Sequence, residues 1–490
     1  MATFDTEYDL VVVGSGTAGT MAAYIGAKEG GLKTALLEKA PQTGGGSVFT
    51  EGHAAFESSE QKARKLPPRP GMHYPTRVEG YQRYIDYSHK RAKPEVVRTA
   101  VNESAETIDI LKSLGLVYTH VDIYALEQPS ELASAHFSEG LGQRMHEVLI
   151  QAARDAGADV FTSTPARELI VEDGKVVGVA AEDADGQALR IGAKAVILAG
   201  GGFGANVEML RKYSRFAANA EALVPLCPDT NTGDTVNMAL AIGADTFEIG
   251  TLALVPLANG KNLAAITNGA GSQPVLWVDR TGRRYWDEFV ALCFADAANV
   301  IASRPGGVSY SIMDQDTVRH LIENGSDIGL GEFVKFQTPM VTLQTELDEA
   351  AAEGEMAWKA DSIEGLAKAV GFDPAVFRAT VDQYNEFAAK GEDPLFFKDA
   401  RYLRPILKAP FYAIEMRGGI LGSVGALNVD GDMRVIGTNG EVIEGLYATG
   451  EDAGGLFGDN YVLDVPGTAS GFGLTSGRVA ARHAAKVIKV

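Results

Sequence analysis

The sequence predicts an α/β protein whose parallel-sheet domain is interrupted by an inserted α+β domain. Three observations predict it. A strand–helix–strand unit opens the chain, a strand and a Gly- and Ala-rich helix of the same kind close it, and the stretch between them, from about Pro256 to Gly418, has a different, mixed pattern. At 490 residues the chain also exceeds what one core usually organises. The expected division is a discontinuous domain of residues 1–255 and 419–490, with a capping domain of residues 256–418.

Tyr8–Val13 is a short, β-branched apolar run suited to a buried parallel strand. Gly14-Ser15-Gly16-Thr17-Ala18-Gly19 turns the chain into a helix over Thr20–Glu29, and Thr34–Leu37 is the next strand, ending at Glu38. Pro67–Pro75 holds four prolines and reads as an irregular loop. Helical periodicity returns over Glu95–Leu114 and Gln143–Ala156. Val160–Leu169, Val176–Ala181 and Leu189–Gly192 are expected as antiparallel strands joined by Asp-Gly turns. Ala195–Leu198 is a separate buried strand running into Ala199-Gly200-Gly201-Gly202. The inserted region ends in helices near Glu364–Val370 and Ala375–Ala389. Gly445–Thr449 then forms a strand and Ala469–Lys486 a helix.

The net charge of −20 opposes a nucleic-acid partner, which needs a basic face. Two cysteines, Cys227 and Cys293, are too few for a disulfide scaffold, an iron–sulfur cluster or a thiolate metal site, so no metal is expected and both thiols read as buried small hydrophobes. Neither a secretory signal nor a membrane span is legible, which gives a cytoplasmic expectation and an electron donor or acceptor that is diffusible or a separate protein.

A lone Gly-x-Gly-x-x-Gly run is weak evidence. Between a strand and a helix, with Glu38 ending the next strand, it is strong. Gly14 and Gly16 let the backbone turn and approach a pyrophosphate at the helix N-terminus, while Gly19 permits close helix–strand packing. Glu38 suits ribose hydroxyls and would repel a 2′-phosphate. The choice of FAD over NAD comes from further along. Gly44-Gly45-Gly46-Ser47 is a second flexible loop, and Gly445–Glu451 is a late strand ending in Gly450-Glu451, suited to a ribityl chain. The helix start at Ala469-Ser470 can stabilise negative charge at flavin N1–C2=O. The expected fold is thus a Rossmann-like FAD-binding domain with an inserted α+β capping domain.

Here the chain resembles a family, that of the FAD-dependent fumarate reductase and succinate dehydrogenase flavoproteins, and within it the soluble branch with 3-ketosteroid dehydrogenases and urocanate reductases. The resemblance rests on the fingerprint with Glu38-Lys39, on Gly44–Gly52, His136 with Gly140 and Gly142, Ala195–Phe203, Thr232-Gly233-Asp234, Gly282–Tyr285, Pro410–Ile414 and Gly445–Gly455. It implies that FAD is held by Gly14, Ser15, Gly16, Thr17, Ala18, Gly19, Glu38, Lys39, Gly45, Gly46, Ser47, Gly52, Ala166, Ala199, Gly200, Gly201, Asp234, Gly450, Glu451, Ala469 and Ser470. Gly46 stands where membrane-bound members carry a flavin-linked histidine, so the FAD is expected to be noncovalent; His53 is seven residues further on.

Departures from the family narrow the substrate. Its dicarboxylate clamp of histidines and arginines falls here in Leu254-Val255-Pro256, Gly419–Ser423 and Asn460–Asp464, which contain no basic residue. Burying a dicarboxylate without those cations costs several kcal/mol, on the order of the penalty for an unpaired buried charge. Arg284 resembles the family's proton-delivering arginine, but Thr267-Asn268-Gly269-Ala270 lacks the Glu/Arg relay, so Arg284 either anchors a carbonyl oxygen or ties Asp279 or Asp287. Tyr461 is the alternative acid, and Asp464 binds a polar substrate group or caps a turn. His136 is a candidate near substrate; His73, His89, His120 and His146 read as surface or helix residues. The expected reaction moves a hydride between flavin N5 and an activated C=C or CH–CH bond next to a carbonyl of a small molecule. Alternatives are a ketosteroid-like dehydrogenase on a bulky apolar ketone and an electron-transfer flavoprotein subunit.

Overall fold

The computed structural model describes residues 3–68, 71–123, 131–258, 265–329 and 335–489. The tip of the proline-rich loop, 69–70, lies outside the described residues. The chain begins with β1 (Thr6–Val13), α1 (Thr17–Lys28) and β2 (Thr34–Leu37). Leu10, Val11 and Val12 are fully buried, as the apolar run requires of a strand covered on both faces. β3 (Ala188–Leu198) lies parallel on the other side of β1, and β6 (Val442–Ala448) lies parallel to β3. These strands form the middle of an eight-stranded sheet, with Asp159–Phe161 and Arg434–Ile436 at its ends. Among the helices packed on this sheet are α1 and α4 (Thr468–Ile488), so the two chain ends meet in one core.

Two expectations change here. The runs at Leu189–Gly192 and Ala195–Leu198 are one continuous strand, β3. Its first part pairs antiparallel with Lys175–Glu182 while its later part pairs parallel with β1, so one strand serves two ladders. Conversely, Val160–Leu169 is two strands. Asp159–Phe161 pairs parallel with β2 and Ala166–Glu172 pairs antiparallel with Lys175–Glu182. Pro165 between them has no N–H to give a ladder.

A second, six-stranded sheet is built mostly by the inserted region around β5 (Phe411–Ser423), against which β4 (Leu252–Ala258) runs antiparallel, and Val224–Pro225 joins it from earlier in the chain. The chain crossings expected at 255/256 and 418/419 fall inside these two strands, and in their register Val255 faces Gly419 and Pro256 faces Gly418. Helices α2 (Ala265–Gly271) and α3 (Phe294–Ala302) pack on the same sheet. The capping core is separate from the main one and centres on residues such as Trp277, Leu321 and Tyr412. No helix among the described residues is long and apolar enough to cross a membrane.

Candidate active site

The end of β1 and the start of α1 form the wall of a cavity of about 560 Å3 that runs from the main sheet to the capping sheet. Gly14 has φ +102°, and a Cβ there would sit 2.2 Å from the Ala199 carbonyl oxygen, so only glycine fits between β1 and β3. Gly16 caps α1 with no side-chain hydrogen bond and no acidic residue in the first turn, which leaves the helix N-terminus electropositive toward the cavity. Gly19 does not line the cavity. A Cβ there would lie 1.8 Å from the Gly14 oxygen, so its part is helix packing.

Glu38 is held at the end of β2 by three donors: the Ser15 amide at 3.0 Å, the Ser15 hydroxyl at 2.6 Å and the Ala40 amide at 2.8 Å. Both Ser15 donors reach Oε2 and the Ala40 amide reaches Oε1, so Oε1 keeps acceptor capacity. Lys39 pairs with Asp234 at 2.7 Å and donates to the Thr232 hydroxyl at 2.6 Å, and all but Thr232 line the cavity. Ser47 accepts from the Thr17 amide at 2.5 Å and thereby draws the Gly45-Gly46-Ser47 loop onto the fingerprint. Gly52, Ala166, Ala199, Gly200, Gly201 and Gly450 complete this end.

Deeper in, Glu451 and Ser470 line the cavity, and each has a buried side-chain oxygen without a partner, Oε2 and Oγ. Burial, with Asp452 beside it, pushes the Glu451 carboxyl well above the usual carboxylate range. Two such orphans in one cavity are the mark of polar groups that a bound molecule satisfies. Asp452 is a residue that the sequence reading missed. It is fully buried and accepts from the Gly200 amide at 2.6 Å and the Gly202 amide at 2.9 Å, tying the end of β3 to the end of β6. The signal was present in Gly450-Glu451-Asp452, a second acid directly after the strand. The N-terminus of α4, capped by Gly467 with no side-chain bond and no early acid, supplies the second electropositive helix end, and Ala469 lies on the cavity there.

The far end lies against the second sheet. Ala253, Leu254, Val255, Pro256 and Leu257 of β4 line it with Leu421 of β5, Phe294 of α3 and Asn268 of α2, and Tyr461 and Leu463 approach from the C-terminal loop. Tyr461 is buried, and burial pushes its phenol above its ordinary pKa, offset in part by the Ala469 backbone.

Arg284 is not on this cavity. Its guanidinium is buried in the capping core, 2.7 Å from both Glu288 and Asp393, with Lys398 3.2 Å from Glu288. The expectation that it ties an acid in a loop identified the right kind of role but the wrong partners, which are neither Asp279 nor Asp287. Asp464 pairs with Arg83 at 2.5 Å and does not line the cavity. His136 is fully buried away from the cavity, 2.7 Å from the Ser58 hydroxyl, and His53 bonds the Tyr118 hydroxyl at 2.6 Å. His146 sits on its helix as expected, but buried, and contacts Thr43 at 3.0 Å. Both cysteines are buried free thiols.

The model of the FAD binding domain family matches residues 9–463. The chain belongs to the FAD binding domain family. It is a FAD-dependent oxidoreductase acting on C=C and CH–CH bonds. Its sequence is 34% identical to the vinyl phenol reductase of Lactiplantibacillus plantarum, covering 98% of this chain and 97% of that protein. It is 28% identical to the fumarate reductase (cytochrome) of Shewanella frigidimarina over 98% of this chain and 77% of the relative. In fold it is similar to the 3-ketosteroid Δ1-dehydrogenase of Sterolibacterium denitrificans, with a TM-score of 0.77 at 22% identity, covering 98% of this chain and all of that one. FAD fits the cavity: two uncapped helix ends, a glycine-lined approach and the orphaned oxygens of Glu451 and Ser470 are the groups that its pyrophosphate, ribityl and ring-edge polar atoms require.

Proposed function

We propose that this family member is a reductase of small, neutral, conjugated alkenes whose double bond is activated by a ring- or carbonyl-borne oxygen, of the vinyl-phenol or enone type. One observation carries the reading. The three stretches in which the fumarate-reducing relatives' clamp would fall all reach the cavity, with Leu254, Val255 and Pro256 from the first, Leu421 from the second and Tyr461 and Leu463 from the third, and none of these is basic. The one cation among the described lining residues is Lys39, at the far nucleotide end and paired with Asp234. An apolar alkene is buried there at a gain of roughly 25 cal/mol per Å2 of apolar surface, whereas two carboxylates have no counter-charge.

When bound, FAD supplies the hydride at its N5. Glu38 would hold the adenosine ribose, the N-terminus of α1 the pyrophosphate, and Glu451 and Ser470 the ribityl–isoalloxazine region. Tyr461 gives the proton to the carbon that does not receive the hydride, and the β4 residues with Phe294 keep water from the reacting bond. A noncovalent cofactor is supported by Gly46 on the cavity wall and by His53, which is engaged with Tyr118. Electrons arrive from a separate carrier. The buried free thiols suit a reducing, cytoplasmic setting.

The test is anaerobic photoreduction of the purified enzyme, then mixing with 4-vinylphenol, simple enones and fumarate. Vinylphenol or an enone reoxidises the flavin stoichiometrically while fumarate does so at least about 100-fold more slowly, as the loss of charged hydrogen bonds requires. Rapid reoxidation by fumarate alone refutes the reading.

A further inference from the structure

Asn268 is the polar side chain that the capping wall of the cavity presents beside its apolar residues, and its orientation is fixed. The backbone N–H of Ala258, at the end of β4, donates to Asn268 Oδ1 at 2.8 Å. A backbone N–H can only donate, so the amide oxygen must face it and the amide nitrogen must face the other way. No described residue accepts a hydrogen bond from that nitrogen, and Asn268 lines the cavity. The start of α2 is tied from a second side, because Glu346 accepts from the Thr267 amide at 2.9 Å and from its hydroxyl at 2.5 Å. The donor is therefore held in place before any ligand enters.

We infer that Asn268 is the specificity-determining residue of the substrate end, donating its amide N–H to the oxygen that activates the substrate's double bond. The inference rests on the reading of the cavity as a site for neutral conjugated alkenes. A neutral donor matches a phenol, ether or ketone oxygen and supports negative charge that gathers there as the bond is reduced. It brings no full charge, so it does not compensate a carboxylate. Its place on the cap, on a different element from Tyr461, separates the group that holds the oxygen from the group that gives the proton.

The experiment measures dissociation constants of two dead-end ligands of matched shape, 4-ethylanisole and 1,4-diethylbenzene, by their perturbation of the flavin absorbance of the holoenzyme. The ether carries an acceptor oxygen where the hydrocarbon has a methylene. Wild-type enzyme is expected to prefer the ether by roughly 3–10-fold, the span of one neutral hydrogen bond. In Asn268→Leu the preference should collapse to about one, with hydrocarbon affinity kept. In Asn268→Asp, which retains the acceptor for Ala258 but turns a carboxylate oxygen to the cavity, it should invert. FAD content and a cooperative thermal melt establish that each variant is folded. An unchanged preference in both variants, or no preference in wild type, overturns the role of Asn268 while leaving the alkene site standing. If neither ligand perturbs the wild-type flavin and fumarate does, the reading of the cavity fails and the inference fails with it.

Discussion

The two ends of the cavity are made of different materials. The nucleotide end is built from backbone amides, glycines and carboxylates in two short stretches from opposite ends of the chain: Gly14 to Ala18 with Glu38, and Gly450 with Glu451. The capping end is built from side chains of four distant elements, at Leu254, Asn268, Phe294 and Leu421, with Tyr461 from a fifth segment. The first end recognises a fixed cofactor, whose phosphates need donors in one arrangement. The second, in the proposed reading, meets the substrate with single side chains that the backbone geometry does not dictate. The contrast teaches where mutations should act: on cofactor retention at one end and on turnover at the other.

The largest expected effect lies at the capping end. Tyr461→Phe removes only the hydroxyl, so single-turnover reoxidation by the alkene substrate should slow by roughly 10²–10⁴-fold with FAD content unchanged. A full-rate mutant would make Tyr461 packing and move the acid elsewhere. Arg284→Leu sharpens the comparison from outside the cavity. It strands Asp393 in the capping core and leaves Glu288 with Lys398 alone, so unfolding stability should fall by about 3–5 kcal/mol, read by urea denaturation, while the substrate KM of the folded fraction is unchanged. A raised KM with unaltered stability would restore Arg284 to the site.

A third expectation concerns acid. Burial pushes His53 down to about 3, with His136 beside it adding to the effect, and pushes His136 down to about 4. Below an ordinary histidine pKa near 6.5 the unfolded chain takes up protons that the folded chain refuses. Stability is therefore full above about 6.5 and is lost as pH falls toward 4, by an amount on the order of 3 kcal/mol per histidine there. Melting temperatures from pH 7 to 4 check this, and a His53→Asn variant with the same acid slope would remove His53 from the account. The apoprotein carries an opposite trend. The raised Glu451 and Asp452 carboxyls make it lose stability as pH climbs above the ordinary carboxylate range, because there the unfolded chain releases protons that the folded chain keeps. Bound FAD should flatten that limb.

The smallest expected effect is at the nucleotide end. Glu38→Ala should weaken FAD binding by roughly 10–100-fold, the worth of hydrogen bonds to a charged group, with the melt of the FAD-saturated protein cooperative. Unchanged affinity would show that the ribose is held elsewhere.

The sequence by itself determined the nucleotide end. Its determinants are local: glycines whose φ or close approach admits no Cβ, a strand buried on both faces, and an acid at a fixed distance along the chain from the fingerprint. Physical need and sequence position coincide there, which is why Glu38, Ser47 and Glu451 could be named from spacing. Tertiary structure alone decided the rest. That Leu189–Gly192 and Ala195–Leu198 are one strand depends on which neighbours offer ladders, and that is a long-range fact. Arg284 followed a motif onto the capping domain, but its guanidinium was claimed by Glu288 and, more than a hundred residues away, Asp393, because a buried cation must find anions wherever the fold brings them. Asn268 stood in the sequence only as part of the stretch that lacks the family's Glu/Arg relay; its orientation was decided when the fold placed the Ala258 N–H against its oxygen and so turned its nitrogen to the cavity.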